Sequence, residues 1–199
     1  MSYTEIYSFD KQGVAHLYGE VHNAFRSGMA IWRFLESKYL PPFLPDYVKC
    51  MGCTSAKQFA DKFGYVPSRT SPTMDESNVI QEIWDLYKDS KVSWADKICL
   101  YTTFDGCLVK KKDIPQVIEA FRAFEGDTSL KEQAEVLERL IVDENCIAVG
   151  WNQTSVNGTT WDNCGGYDEE NEQPIPYNCL TGDKHFWLFD HMEEVSKNE

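Results

Sequence analysis

The chain has 199 residues, 42% hydrophobic and 26% charged, a balance that supports a buried core without disulfide or metal staples and excludes a wholly disordered, collagen-like or coiled-coil polymer. Nineteen Lys and Arg stand against 32 Asp and Glu, a formal charge of −13, which argues against direct binding to nucleic-acid backbones or anionic lipid surfaces. No apolar run approaches the roughly 20 residues a bilayer span requires, and the start has neither a basic nor an apolar signal region, so a cytoplasmic protein without a membrane partner is expected.

Tyr3 to Phe9 alternates apolar and polar positions, Asp10 to Gly13 supplies turn chemistry, and Val14 to Val21 resumes, which predicts an N-terminal hairpin. Asn23 is placed to cap a helix running to about Tyr39, with Phe25, Met29, Trp32 and Leu35 on its apolar face and Pro41-Pro42 beyond its end. Thr54 or Ser55 opens a short helix through Phe59 and Phe63, closed by Gly64. Residues 65–76, with Pro67, Ser68, Thr70, Ser71 and Pro72, read as a loop and the best position for a boundary inside an otherwise single domain spanning 1–199.

Two further helical patterns follow, one after Ser77 carrying Val79, Ile80, Ile83, Trp84 and Tyr87, the other from Ser93 carrying Trp94, Ile98 and Tyr101. Asp105-Gly106, flanked by Thr102-Thr103-Phe104 and Cys107-Leu108-Val109, predicts a tight hairpin. Asp113 with Pro115 starts a helix bearing Val117, Ile118, Phe121 and Phe124. Ser129 and Glu132 fit a capping box for the next helix, whose apolar face is Leu130, Ala134, Leu137 and Ile141; these two helices are expected to pair. Cys146 to Val156 alternates through Ile147, Val149 and Trp151 toward an Asn157-Gly158 turn, with Trp161 on the returning arm. Residues 162–183 lack periodicity and read as a functional loop, Phe186 to Phe189 as a last strand, and Glu193 to Glu199 as a polar tail. Strands at both ends around a helical middle predict an α+β fold, a mainly antiparallel sheet with amphipathic helices packed on one side.

The acidic excess is regional. Residues 1–100 hold 11 basic and 12 acidic side chains, residues 101–199 hold 8 and 20. A face of that sign either keeps the protein dispersed or steers a partner with a basic surface. The candidate docking residues lie in the aperiodic stretch: Trp161 and Tyr167 as exposed aromatic anchors, with Asp168, Glu169, Glu170 and Glu172 as the charged rim. That cluster lacks the alternate-residue spacing and central Gly of a calcium loop.

Other chemistry is thin. Cys50-Met51-Gly52-Cys53 has the spacing of half a zinc site but no second ligand pair follows it, so no metal or other cofactor is expected, and Cys50 with Cys53 remains the alternative metal position. Seven cysteines, an odd number, are expected to stay reduced. His16 and His22 near one end and His185 and His191 near the other would converge if the terminal strands were neighbours, with Asp190 as an orienting carboxylate, yet no Ser or Cys stands in a nucleophile elbow and no glycine-rich phosphate loop occurs. No catalytic residue is assigned.

The stretches NAFRSGMAIWRFLESKYL, TTFDGCLVKKKDIPQVIEAFRAFEG with SLKEQAEVLERL, and GWNQTSVNGTTWDNCGGYDEENEQPIPYN resemble segments of uncharacterised proteins encoded by phages and prophages. The resemblance implies a bacterial cytoplasm as the setting and transfers no site. The expected function is thus a small acidic interaction protein, a phage or prophage accessory protein that inhibits a basic nucleic-acid-binding or defence protein of the host. The alternative is a zinc-dependent module or enzyme built on the Cys and His residues.

Overall fold

The computed structural model describes residues 2–40, 61–62, 64, 81–154 and 161–197. Strands β1 (Tyr3–Phe9) and β2 (Ala15–His22) form the expected hairpin, β3 (Cys107–Lys110) and β4 (Ala148–Gln153) lie further along, and β7 (Phe186–Trp187) completes a five-stranded sheet of order β2-β1-β4-β3-β7. Every pairing is antiparallel except β3 with β7. The helices described over their whole length are α1 (Gly28–Tyr39), α2 (Trp94–Tyr101), α3 (Ile114–Ala123), α4 (Leu130–Leu140) and α5 (Leu188–Lys197). This is the α+β architecture that the alternation of patterns predicted. No helix among the described residues is long and apolar enough to cross a membrane.

Because side chains alternate along a strand, the sheet serves two cores. Ile6, Val109, Val149 and Trp151 point to the helices, where Ile31, Leu35, Ile98, Phe121, Leu137 and Leu188 meet them. Tyr7, Phe9, Leu108 and Ala148 point the other way and are covered by Trp161, Tyr177 and Cys179. Gly150 on β4 belongs to this second face, and a Cβ there would come within 2.6 Å of Leu108 and 3.0 Å of the Trp161 indole. The absent side chain is what lets the indole approach the sheet this closely.

Several expectations need correcting. Asn23 does not cap α1, which begins after Ser27. Asn23 is fully buried, its Oδ1 accepting from Thr4 Oγ1 at 2.9 Å and Ser129 Oγ at 2.8 Å, and the chain reaches α1 through left-handed Ala24 and Phe25 (φ 44° and 68°), which puts Phe25 in solvent rather than on the helix's apolar face. The Ser129–Glu132 capping box is not closed: the Ser129 hydroxyl is spent on Asn23, and Glu132 reaches Arg26 at 2.8 Å. Tertiary partners outcompeted the local ones.

Asp105-Gly106 makes no hairpin. Thr102 and Thr103 belong to the end of α2, their hydroxyls donating to the Cys99 and Leu100 carbonyls, so only the downstream arm is a strand. Gly106 is left-handed (φ +78°) because the chain turns against Lys184, whose carbonyl would sit 2.7 Å from an added Cβ. Residues 162–183 are not wholly irregular: β5 (Gly166–Asp168) and β6 (Gln173–Ile175) pair as a separate antiparallel ribbon. The last strand is only Phe186–Trp187, and most of the expected polar tail is α5, which buries Leu188 and Met192.

Other readings hold. Ser93 Oγ accepts from the Asp96 N–H at 3.1 Å and caps α2, Pro115 sits in the first turn of α3, and α3 packs with α4 through Arg122 and Glu138 at 2.6 Å. The helix expected after Ser77 is present where it is described: residues 81–84 are helical with Ile83 buried, and Asp85–Tyr87 continue it as a 3-10 turn. The expected helix over residues 54–63 apart from 61–62, the loop 65–76 and the Asn157-Gly158 turn lie outside the described residues.

Candidate functional site

The acidic stretch is built on the β5–β6 ribbon. In register, Tyr167 faces Pro174 and Asp168 faces Gln173, with residues 169–172 as the connecting turn. Asp168 ties that turn: its Oδ1 accepts from the N–H groups of Glu170 (3.0 Å) and Asn171 (3.2 Å), and its Oδ2 from Asn171 Nδ2 (2.7 Å). The Asn171 side chain and these amides hold the Asp168 carboxyl below its ordinary value. Glu172 completes the turn in the left-handed region (φ 51°). Asp168 is therefore a structural residue of the ribbon, whereas Glu169, Glu170 and Glu172 project into solvent and enter no ion pair with the described residues.

Tyr167 is exposed (60%), as expected, and Ile175 on the partner strand is 41% exposed. Trp161 is not a surface anchor. It is completely buried, its indole N–H donating to the Trp151 carbonyl at 3.0 Å and its ring packed edge-on to Phe9 at 5.6 Å. Neighbouring Asp162 and Asn163 are exposed and made the whole segment look exposed; a sequence gives no sign that the sheet beneath offers a glycine-floored slot for the ring.

The negative field extends past the ribbon. Glu5 accepts from Asn152 Nδ2 at 2.6 Å and from the Tyr7 hydroxyl at 3.1 Å. Burial first, then Glu5 and Asp162, push the Tyr7 phenol well above its ordinary value. The cations nearest this layer are engaged: Lys184 Nζ donates to the Cys164 carbonyl at 3.0 Å, and Lys110 pairs with Asp190 and lies 5.4 Å from the centre of the Trp187 ring.

No protein-family model matches this chain, and no curated protein or solved structure matches it either.

The histidine pairs do not converge, because β2 and β7 occupy opposite edges of the sheet. Asp190 is taken by Lys110 rather than by a histidine, and His185 Nδ1 lies 2.8 Å from the Tyr177 hydroxyl. Burial lowers the His185 pKa, against a smaller opposing effect of Asp183. The five described cysteines are free thiols. Burial raises Cys146 and Cys179 to about 11 and Cys99 and Cys107 further still, which keeps all four protonated and poor as nucleophiles or metal ligands. Among the described residues no three His, Cys, Asp or Glu side chains are grouped to hold a metal ion. Cys50 and Cys53 lie outside the described residues.

The Asx turn was legible and missed: Asp168-Glu169-Glu170-Asn171, between Tyr167 and the Pro174-Ile175 pair, is the residue order of a side-chain-tied turn.

Proposed function

We propose that this is an acidic interaction protein that engages a partner with a basic surface through the β5–β6 ribbon and the carboxylates beside it. The observation that carries the reading is the ordered turn that holds Glu169, Glu170 and Glu172 out in solvent, unneutralised, next to exposed Tyr167. A pre-ordered rim loses little entropy on binding, and its field raises the rate of encounter with a cationic surface. The resemblance of the quoted segments to phage and prophage proteins supports a bacterial cytoplasm as the setting. There, a nucleic-acid-binding or defence protein of the host, blocked at its phosphate-binding surface, is the partner that fits the charge.

The test is capture from bacterial lysate with the wild type beside the Glu169→Lys, Glu170→Lys, Glu172→Lys triple variant and Tyr167→Ala, followed by association kinetics with the captured protein across an ionic-strength series. The triple variant is expected to associate about tenfold more slowly at low salt, with a smaller change in dissociation, and Tyr167→Ala to dissociate faster. Association that ignores both salt and the triple reversal would overturn the reading.

A further inference from the structure

Away from the ribbon, the β1–β2 turn and the α4–β4 connection enclose a depression of about 310 Å³ lined by Ser8, Asp10, His16, Asp143, Asn145 and Cys146. Ser8 alternates with Tyr7 and Phe9, so it stands on the face of the sheet opposite the Trp161 layer. It pairs directly with His16 across the hairpin, which sets the two side chains next to one another.

The lining is firmly held. Asp10 Oδ1 accepts from the N–H groups of Gln12 (2.9 Å) and Val14 (3.0 Å), and Asp10 Oδ2 lies 2.8 Å from His16 Nε2. Burial would raise the Asp10 carboxyl, but the bonds from His16, Val14 and Gln12 outweigh it and keep the group below its ordinary value. A carboxylate only accepts, so His16 Nε2 carries a proton and donates to Asp10. On the opposite wall Asp143 Oδ1 accepts from the Asn145 N–H at 2.9 Å; Lys111, which is not part of the lining, has its Nζ bound to the Asp143 main-chain carbonyl at 2.7 Å. The Cys146 thiol donates to the Ala148 carbonyl at 3.3 Å.

The charged groups left with open positions are carboxylates. Ser8 is 9% exposed, and no hydrogen bond engages its hydroxyl among the described residues, which leaves it open to a ligand in the depression. Asp143 Oδ2 and the second lone pair of Asp10 Oδ2 add further acceptors, and no Lys or Arg lines the depression. The ligand that fits is a cation rich in donors.

We propose that this depression is a recognition pocket for a guanidinium group. A planar fork of five N–H donors can lie bidentate on Asp143 with donors left over for the Ser8 hydroxyl, whereas an ammonium has three diverging donors and a tighter hydration shell. The volume accommodates the guanidinium and a short alkyl stem, supplied either by an arginine side chain of a protein or by a free arginine-like molecule. The pocket stands independently of the ribbon reading, since none of its residues belongs to that surface.

The test is an amide NMR titration of the full chain with N-ethylguanidinium, N-ethylammonium and the peptide acetyl-Ala-Arg-Ala-amide. N-ethylguanidinium is expected to give saturable shifts at Ser8, His16 and Asn145 and to bind at least about fivefold more tightly than N-ethylammonium. Asp143→Asn, in which an amide oxygen can still accept the Asn145 N–H, should weaken binding about tenfold, and Ser8→Ala about threefold, with the remaining spectrum unchanged. A peptide that binds at least about tenfold more tightly than N-ethylguanidinium assigns the pocket to a protein arginine; equal affinity assigns it to a free small molecule. No saturable shift with either guanidinium probe up to about 50 mM, equal binding of the ammonium, or undiminished binding to Asp143→Asn would each overturn the proposal.

Discussion

On one face of the five-stranded sheet, Ile6, Val149 and Trp151 meet helices whose apolar residues recur every three or four positions; on the other, Tyr7, Phe9, Leu108 and Ala148 meet a segment that makes only short strands. The helical face spreads its burial over many side chains drawn from several helices. The opposite face is covered by few residues, the largest of them Trp161, seated over Gly150, with Tyr177 and Cys179 beside it. The contrast teaches that a segment without periodicity can still be a structural layer when a single aromatic supplies the buried area that a helix would otherwise distribute.

If that is so, Trp161→Ala should be the most damaging single truncation, about 4 kcal/mol by urea unfolding, because a large void opens where no neighbouring side chain can collapse into it. Leu137→Ala, at the centre of the helical face, should cost about 3 kcal/mol. A smaller loss for Trp161→Ala than for Leu137→Ala would break the comparison. Gly150→Ala should cost about 2 kcal/mol, since the new methyl strikes both Leu108 and the indole. A neutral Gly150→Ala would show that the indole has room to shift.

A pH series sharpens the same contrast at the edge of the Trp161 layer. Tyr177 accepts from the Lys184 N–H at 2.8 Å and directs its own proton to His185 Nδ1. With the folded pKa of His185 below its ordinary value of 6.5, the unfolded chain binds the proton more readily. The contribution is complete above pH 6.5 and is lost as the pH falls through the folded value. Urea unfolding at two pH values bracketing that range should show a smaller acid-side loss for His185→Gln than for the wild type. An identical loss would remove His185 from the account.

The smallest effect on stability belongs to the ribbon. Tyr167→Ala and the triple reversal of Glu169, Glu170 and Glu172 should each change unfolding by no more than about 0.5 kcal/mol, while altering partner binding as described above. A large fall in stability from Tyr167→Ala would make Tyr167 part of the core-covering layer rather than an anchor.

Periodicity, proline placement and turn residues determined the N-terminal hairpin, the helices carrying Trp32, Ile98, Phe121 and Leu137, and strand β4, because each is a local pattern whose apolar side must face inward in any compact fold. Composition likewise determined the regional acidity, which no folding can alter. Only the tertiary structure decided what depends on contacts distant in sequence: that Asn23 and Ser129 bond each other rather than cap helices, that Trp161 is buried while Tyr167 is not, and that Ser8 and His16 open onto the same depression as Asp143. A polar side chain chooses between local and remote hydrogen-bond partners of nearly equal worth, and an aromatic between solvent and a slot. The free-energy differences involved are set by which strands become neighbours, and that information is not carried by any one stretch of the chain.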